Sequence, residues 1–375
     1  MHIKFLRFKI NQSSQFLYSA GPQLMEACRS GDLALVQSLL DAGADVTYAN
    51  PDDGVTPLMI AAETGNVPMI TTLLEAGAPW NAQDKDGHTA GEYATGSGNR
   101  EAMPVLLDWA VTAELILSSI PENKNRIGSG DATTNEEEKE EKPTESEGYL
   151  GQKLRYVDGL LLDEDNEAVM MGWEAPLMVH HAEIICAAGG GYGDVLNVGF
   201  GLGIIDEEIQ KLNPKSHTII EAHPDVYAHM LELGWDKKPN VKIVFGKWQD
   251  VVGKLENHSF DGIFWDTYAE YYEDMRVWHQ ELPRLLRPNG VYTFFNGLAP
   301  DNLFFHLVYG EIARRELNAL GFSVKYDAVP IDASSDEIWN GVANRYWNFP
   351  VYFVPTCVLL EEKKIEEEKD GGAEG

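Results

Sequence analysis

Short apolar runs separated by helical or turn-forming stretches fill the second half of this chain. Asp194 to Val198, Thr218 to Ile220, Lys242 to Phe245, Gly262 to Trp265, Gly290 to Phe295 and Ser323 to Val329 read as strands. Between them, Ile204 to Leu212, Pro224 to Leu233 and Asp301 to Leu320 read as helices. The alternation predicts an α/β domain with a doubly wound, mostly parallel sheet and helices on both faces. Ligands of such sheets bind beyond the carboxyl ends of the strands. The first third has another rhythm, a unit returning every 33 to 34 residues. Pro121 to Glu147 lacks apolar periodicity and reads as a flexible linker.

The repeated unit is clearest at Gly54-Val55-Thr56-Pro57-Leu58-Met59-Ile60-Ala61-Ala62, followed by Gly65-Asn66 and Leu73-Leu74-Glu75-Ala76-Gly77-Ala78. Gly31-Asp32 and Leu39-Leu40-Asp41-Ala42-Gly43-Ala44 stand one unit earlier. Gly87-His88-Thr89-Ala90, Gly98-Asn99 and Leu106-Leu107 stand one unit later. Thr-Pro opens a helix, the Leu-Leu pair rides on a second one, and the following glycine suits a helix end. The pattern resembles the ankyrin repeat, with degenerate outer copies. That resemblance implies an all-α stack that binds a protein or serves assembly alone. The expected organisation is an N-terminal segment (1–19), repeats (20–118), an acidic linker (119–148), the α/β domain (149–360) and an acidic tail (361–375).

Composition narrows the function. The chain has 375 residues and a net charge of −31. Glu136 to Glu147 holds seven glutamates against two lysines, and Glu361 to Glu374 holds seven acids against three lysines. Such runs read as solvated segments or as attraction for a basic partner. Nucleic acid is disfavoured, because a phosphate backbone needs a cationic face. No apolar run reaches the roughly 20 residues that span a bilayer, and Met1 to Ile10 lacks the pattern of a secretory signal. Cys28, Cys186 and Cys357 lie far apart without metal-ligand spacing and read as buried thiols in a reducing compartment, the cytoplasm or the nucleus.

The candidate chemistry starts at Asn197-Val198-Gly199-Phe200-Gly201-Leu202-Gly203-Ile204-Ile205 and at Glu221-Ala222-His223. A strand ends in three alternating glycines, which admit close approach of a ligand. The next strand ends in a carboxylate able to accept from two ribose hydroxyls. A dinucleotide fingerprint needs glycine at position 204, and Ile204 stands there. The spacing found is the one associated with S-adenosylmethionine. After the third strand, Trp248 offers a stacking face and Gln249 an amide for an adenine edge. Leu285-Leu286-Arg287-Pro288-Asn289-Gly290 and Phe260 to Asp266 likewise resemble segments of S-adenosylmethionine methyltransferases, which implies a Rossmann-like class I fold.

Val169-Met170-Met171-Gly172-Trp173-Glu174-Ala175-Pro176-Leu177-Met178 and Phe260 to Tyr268 resemble guanidinoacetate N-methyltransferase. Combined with ankyrin repeats, the domain is similar to the fungal and plant arginine N5-methyltransferases, the type IV protein arginine methyltransferases. The resemblance implies that Glu174 and Asp266 hold a guanidinium. It implies that Met170, residues 199–205, Glu221, Ala222, His223, Trp248 and Gln249 surround the donor, with Tyr149 or Tyr156 as a further aromatic contact. Departures are Ala175, Leu177 and Asn197, where the family has threonine, tyrosine and an acid.

Taken singly, Glu174 also suits a helix cap and Asp266 a turn. His180 and His181 read as packing residues, and Trp265, Tyr268, Tyr271 and Tyr272 as core or pocket wall. Three functions follow. The first is methylation of an arginine in a basic protein, for instance a ribosomal one, with the repeats recruiting it. The second is methylation of a small guanidino compound. The third is a non-catalytic scaffold that binds the donor.

Overall fold

The computed structural model describes residues 20–119, 145–333 and 335–361. The expected N-terminal segment and almost all of the linker and the acidic tail lie outside them. The described residues divide into two compact units, one of 20–119 with 298–312 and one of 145–297 with 313–361. Among the described residues no helix is long and apolar enough to cross a membrane.

The first unit stacks helix pairs in chain order: α1 (20–30) with α2 (Leu33–Asp41), α3 (Pro57–Thr64) with α4 (Val67–Glu75), and α5 (Ala90–Gly96) with α6 (Ala102–Ser119). The repeat signature does what its chemistry predicts. Thr56 is the N-cap of α3 and accepts from the Met59 N–H, with Pro57 in the first turn. Gly43 and Gly77 follow the caps of α2 and α4 with φ of 85° and 93°, a conformation that favours glycine. Leu73 and Leu74 are buried.

Thr89 shows how the third repeat is held despite its degenerate sequence. Its hydroxyl donates to Glu92 at 2.6 Å and accepts from the Gly91 N–H at 3.2 Å, while Glu92 also accepts the Thr89 N–H at 2.7 Å. Glu92 reaches one residue further, accepting the Phe304 N–H at 3.0 Å. The Phe304 ring lies so close to Gly91 that a Cβ there would come within 2.1 Å. Thr89→Ala removes a buried cap and is expected to cost about 1 kcal/mol, read as a lowered midpoint in urea.

The second unit opens with α7 (Glu145–Leu150), a helix where the sequence pattern predicted the end of the linker. A small antiparallel sheet follows, β1 (Arg155–Val157), β2 (Leu160–Leu162) and β3 (Ala168–Met171). Next come α8 (Ala175–Ala187), β4 (Asp194–Val198), α9 (Ile204–Lys211), β5 (Ser216–Glu221), α10 (Pro224–Glu232) and β6 (Val241–Phe245). The unit is completed by α11 (Trp248–Val251), β7 (Phe260–Trp265), α12 (Tyr272–Leu285), β8 (Leu286–Phe294), the later part of α13 (Leu303–Ala319), β9 (Phe322–Pro330) and β10 (Val351–Leu359).

The main sheet runs β6-β5-β4-β7-β8-β10-β9. The first five strands are parallel, and β10 is inserted antiparallel between β8 and β9. This is the Rossmann-like methyltransferase architecture expected. The sequence pattern missed β10 and the small sheet, because strands of three or four residues are too short to show a period and Val351–Leu359 carries a proline. The strand order reverses around β4, so the ends of β4, β5 and β7 open on one crevice. Val195, Ile219 and Phe264 lie in the core beneath it, with Ile185 from α8 and Ile205 and Ile209 from α9.

Candidate active site

Three glycines close the end of β4, each with positive φ: 94° at Gly199, 55° at Gly201 and 72° at Gly203. What a Cβ would meet there is the protein itself. At Gly199 it would stand 1.9 Å from the Asp266 carbonyl oxygen, at Gly201 2.7 Å from the Met170 sulfur, and at Gly203 2.4 Å from the Phe200 ring. The glycines therefore seat the turn against β7, against β3 and against its own Phe200, beyond any approach to a ligand. Tyr156 lies over the same turn, its hydroxyl donating to the Gly201 carbonyl at 3.2 Å, and the Leu202 N–H points at the Met170 sulfur at 3.3 Å.

Glu221 ends β5 beside this turn. Its carboxyl accepts the Phe200 N–H at 2.9 Å and the His223 N–H at 2.6 Å, tying the two strand ends together. Burial pushes it up to about 7, against those hydrogen bonds and one from Ala222, while the charge of Asp206 adds to the rise. Ile204 and Ile205 begin α9, and Ile205 is buried beneath the turn. Asn197 does not leave the site without an acid. Its amide donates to both oxygens of Asp206, at 2.9 and 3.0 Å, and to the Gly199 carbonyl at 2.8 Å. Asp206 is fully buried, with the His217 ring nitrogen 3.0 Å away.

Both candidate tyrosines lie near Glu221. Tyr149 packs between His223 and Tyr268, each at 4.8 Å between centroids, and Tyr156 stacks on His229 at 3.9 Å. Trp248 and Gln249 start α11, where a single carboxylate, Glu270, gathers them. It accepts from the Trp248 indole at 2.9 and 3.0 Å, from the Gln249 amide at 2.6 Å and from Thr267 at 2.6 Å. Trp248 is buried, its ring 5.4 Å from Trp278 in a T-shaped pair, so it is less open than the sequence suggested. Glu270 was not singled out in the sequence, where it is one more acid in an acidic chain.

Glu174 closes a single 3-10 turn, Gly172–Glu174, between β3 and α8. Its side chain makes no capping bond to α8, but it does serve as the third-residue carboxylate of a capping box on the 3-10 turn. Its Oε1 accepts the Met171 N–H at 2.9 Å and the Tyr346 hydroxyl, and the residue is 3% exposed. Asp266 stands at the end of β7, its N–H donating to the Val198 carbonyl at 2.9 Å. Burial first and the charge of Asp266 second push Glu174 up to about 8, against the bonds from Tyr346 and Met171. Burial pushes Asp266 up to about 7. Glu174 thus feels the charge of Asp266 beside the glycine turn, and a cation taken up there would draw both toward the ionised form.

The other candidates sort simply. His181 is a packing residue bridging Thr293 and Tyr352, and burial holds its imidazole down at about 3. His180 is exposed. Trp265 and Tyr272 are core, while Tyr271 is 47% exposed. The three cysteines are free and buried. Arg287 pairs with Asp194 at 2.9 Å and with Asp261.

The raised carboxyls give a pH dependence with a definite sign. A carboxyl whose pKa is higher in the folded state stabilises it below the unfolded value, and that stability is lost as pH rises through the folded value. Histidines held neutral act oppositely, but only below about 6.5. Between pH 6.5 and 8.5 the ligand-free protein is expected to melt at falling temperature, and Glu174→Gln should flatten the slope. An equally steep slope in that variant, measured by calorimetry, would contradict the assignment.

A family model described as guanidinoacetate N-methyltransferase matches residues 161–358, and one described as ankyrin repeats (3 copies) matches residues 24–115. The chain is 34% identical over 367 residues to protein arginine N-methyltransferase 2 of Cryptococcus neoformans, covering 90% of this chain and 94% of that one. It is 33% identical to the protein of that name from Aspergillus fumigatus, over 76% of this chain and 75% of the other. With the one from Candida glabrata it shares 42% over 212 residues, 55% of this chain and 51% of the other.

Proposed function

We propose, for a chain that belongs to the protein arginine N-methyltransferase 2 family, transfer of a methyl group from S-adenosylmethionine to the internal (δ, N5) guanidino nitrogen of an arginine in a basic protein. The observation that carries the reading is the pair formed by buried Glu174 and half-buried Asp266, both raised beside the glycine turn with no cation of the described residues acting on them.

The residues suit the donor. Gly199, Gly201 and Gly203 stand where any Cβ would collide, which keeps the turn close to the strand ends, and Glu221 is a buried carboxyl at the neighbouring strand end. Glu221, Ala222 and His223 would take the ribose, Trp248 and Gln249 the adenine side, and Tyr156 and Met170 the outer wall. When bound, S-adenosylmethionine supplies an electrophilic methyl on a sulfonium. Everything else falls to the protein.

A guanidinium stays protonated, with a pKa of about 12.5 or more, and its internal nitrogen is a poor nucleophile. Glu174 and Asp266 would accept from the terminal nitrogens and draw the positive charge to that end. One of them would take the proton as the internal nitrogen attacks. Glu174 contributes a single oxygen, since its Oε1 is already engaged. The bidentate grip that two carboxylates might suggest is thus reduced to one contact from this residue.

The repeats would recruit the substrate protein. Residues 20–119 carry fourteen acidic side chains against three basic ones, complementary to a basic partner such as a ribosomal protein. The match to the guanidinoacetate N-methyltransferase model supports a second reading, a small guanidino acceptor. Incubation with labelled donor and either guanidinoacetate or extract from cells lacking this chain separates the two. Label is expected in protein, with fragmentation assigning it to the internal nitrogen. Label in creatine alone selects the second reading, and label on a terminal nitrogen rejects the mechanism.

A further inference from the structure

Tyr346 lies in the stretch between β9 and β10, 172 residues from Glu174 in sequence. Its hydroxyl donates to Glu174 Oε1, the oxygen that also accepts the Met171 N–H. A carboxylate oxygen has two lone-pair directions, so Oε1 is fully used. The ring of Tyr346 has little freedom to leave. It packs edge-on against Trp339 at 5.0 Å and against Trp173 at 5.9 Å. Trp339 is fixed by its indole N–H on the Ala333 carbonyl at 3.0 Å. Arg345 clamps the same stretch, donating to Ala333 at 2.7 Å and to the Trp347 carbonyl at 2.9 Å, with its guanidinium 5.5 Å from the Trp339 ring.

We infer that Tyr346 is a positioning residue of this site: by holding Oε1 of Glu174 from a rigid aromatic mount, it leaves Oε2 as the one oxygen that meets the acceptor guanidinium. The inference rests on the reading of Glu174 as a guanidinium-binding carboxylate. Among the described residues, three groups act on Glu174: Asp266, just past β7, through like charge, Met171 as a donor from β3, and Tyr346 as a donor from the β9–β10 stretch. Tyr352 on β10 feels the same charges, but its hydroxyl is taken up by the Asn296 N–H at 2.5 Å and by His181 at 3.1 Å. Tyr346 is therefore the hydroxyl that both orients the carboxylate and favours its ionised form. Without it the Met171 N–H alone would hold Oε1, the carboxylate would be less firmly oriented, and proton loss would come at higher pH.

The test uses the full-length protein saturated with S-adenosylhomocysteine and titrated with N-acetyl-arginine methylamide between pH 6.5 and 9.5. Wild-type affinity is expected to rise with pH and level off once both carboxyls are ionised. Tyr346→Phe should move that limb upward by about one pH unit, a roughly tenfold weaker binding at pH 7 that shrinks above the new limb. Affinity for S-adenosylhomocysteine should stay unchanged. In a Glu174→Gln background the tyrosine substitution should have no further effect. An unmoved limb in Tyr346→Phe, or the same loss of affinity at every pH, overturns the inference while leaving the function standing. Failure of the wild type to bind the arginine probe at any pH overturns the function itself. Should Tyr346→Phe not fold, Tyr346→3-fluorotyrosine keeps the ring and makes a stronger donor. It must then move the limb downward, and an unmoved limb there overturns the inference equally.

Discussion

Glu174→Gln is expected to lower kcat/KM for arginine methylation about a thousandfold with donor affinity intact, the magnitude typical of losing a positioned acid–base group. The substitution is nearly isosteric. The amide oxygen can still accept from Met171 and Tyr346, so the local fold survives. The amide nitrogen then faces the acceptor and presents a donor to a guanidinium that has only donors to offer. Asp266→Asn should be comparably damaging, and the double variant little worse than either single one, because the two groups act on one cation. Donor binding by calorimetry and turnover with labelled donor check this together. Retention of more than a tenth of wild-type turnover in Glu174→Gln would remove the carboxyl from the mechanism.

Gly199→Ala is the second large expectation. The added Cβ would lie 1.9 Å from the carbonyl oxygen of Asp266, a backbone atom that cannot swing aside, and φ is +94°. Overpacking and left-handed strain together are expected to cost about 3 kcal/mol. The fraction that folds would do so by pushing Asp266 away from Val198 and hence from Glu174, so methylation should fall further than stability accounts for. Gly191→Ala is the control. Its φ is +84°, but nothing lies within 4 Å of the new Cβ, leaving a strain of about 1 kcal/mol and no effect on turnover. Equal melting temperatures for the two variants would mean that the close approach of β4 and β7 is not what position 199 protects.

Much of the fold was legible because periodicity and turn chemistry are local. The 33- to 34-residue interval, the Thr56-Pro57 cap and the glycines at 43 and 77 gave the helix pairs, and the family model counts the same three copies. The alternation of apolar runs gave the parallel strands. β10 escaped because Pro355 interrupts its pattern, and its antiparallel insertion between β8 and β9 is a property of pairing that no local pattern shows. At the site, the carboxyls and the glycine turn were legible through motifs. Tyr346, Glu270 and Asp206 were not, since each acts through a partner 9 to 172 residues away.

The glycine spacing from 199 to 203, the missing glycine at 204 and the carboxylate at 221 pointed from sequence alone to a nucleoside-bearing donor other than a dinucleotide. The segments around Glu174 and Asp266 carried the resemblance that pointed to a guanidino acceptor. Only the tertiary structure decided how those groups are used. It turned the glycines into close contacts with the Asp266 carbonyl at the end of β7, with Met170 and with Phe200. It spent one oxygen of Glu174 on Tyr346 and Met171, and it pushed both carboxyls well above their ordinary values by withdrawing them from water. The reason is physical. Residue type fixes which bonds a group can make, but desolvation and hydrogen-bond partners depend on what the rest of the chain brings to it.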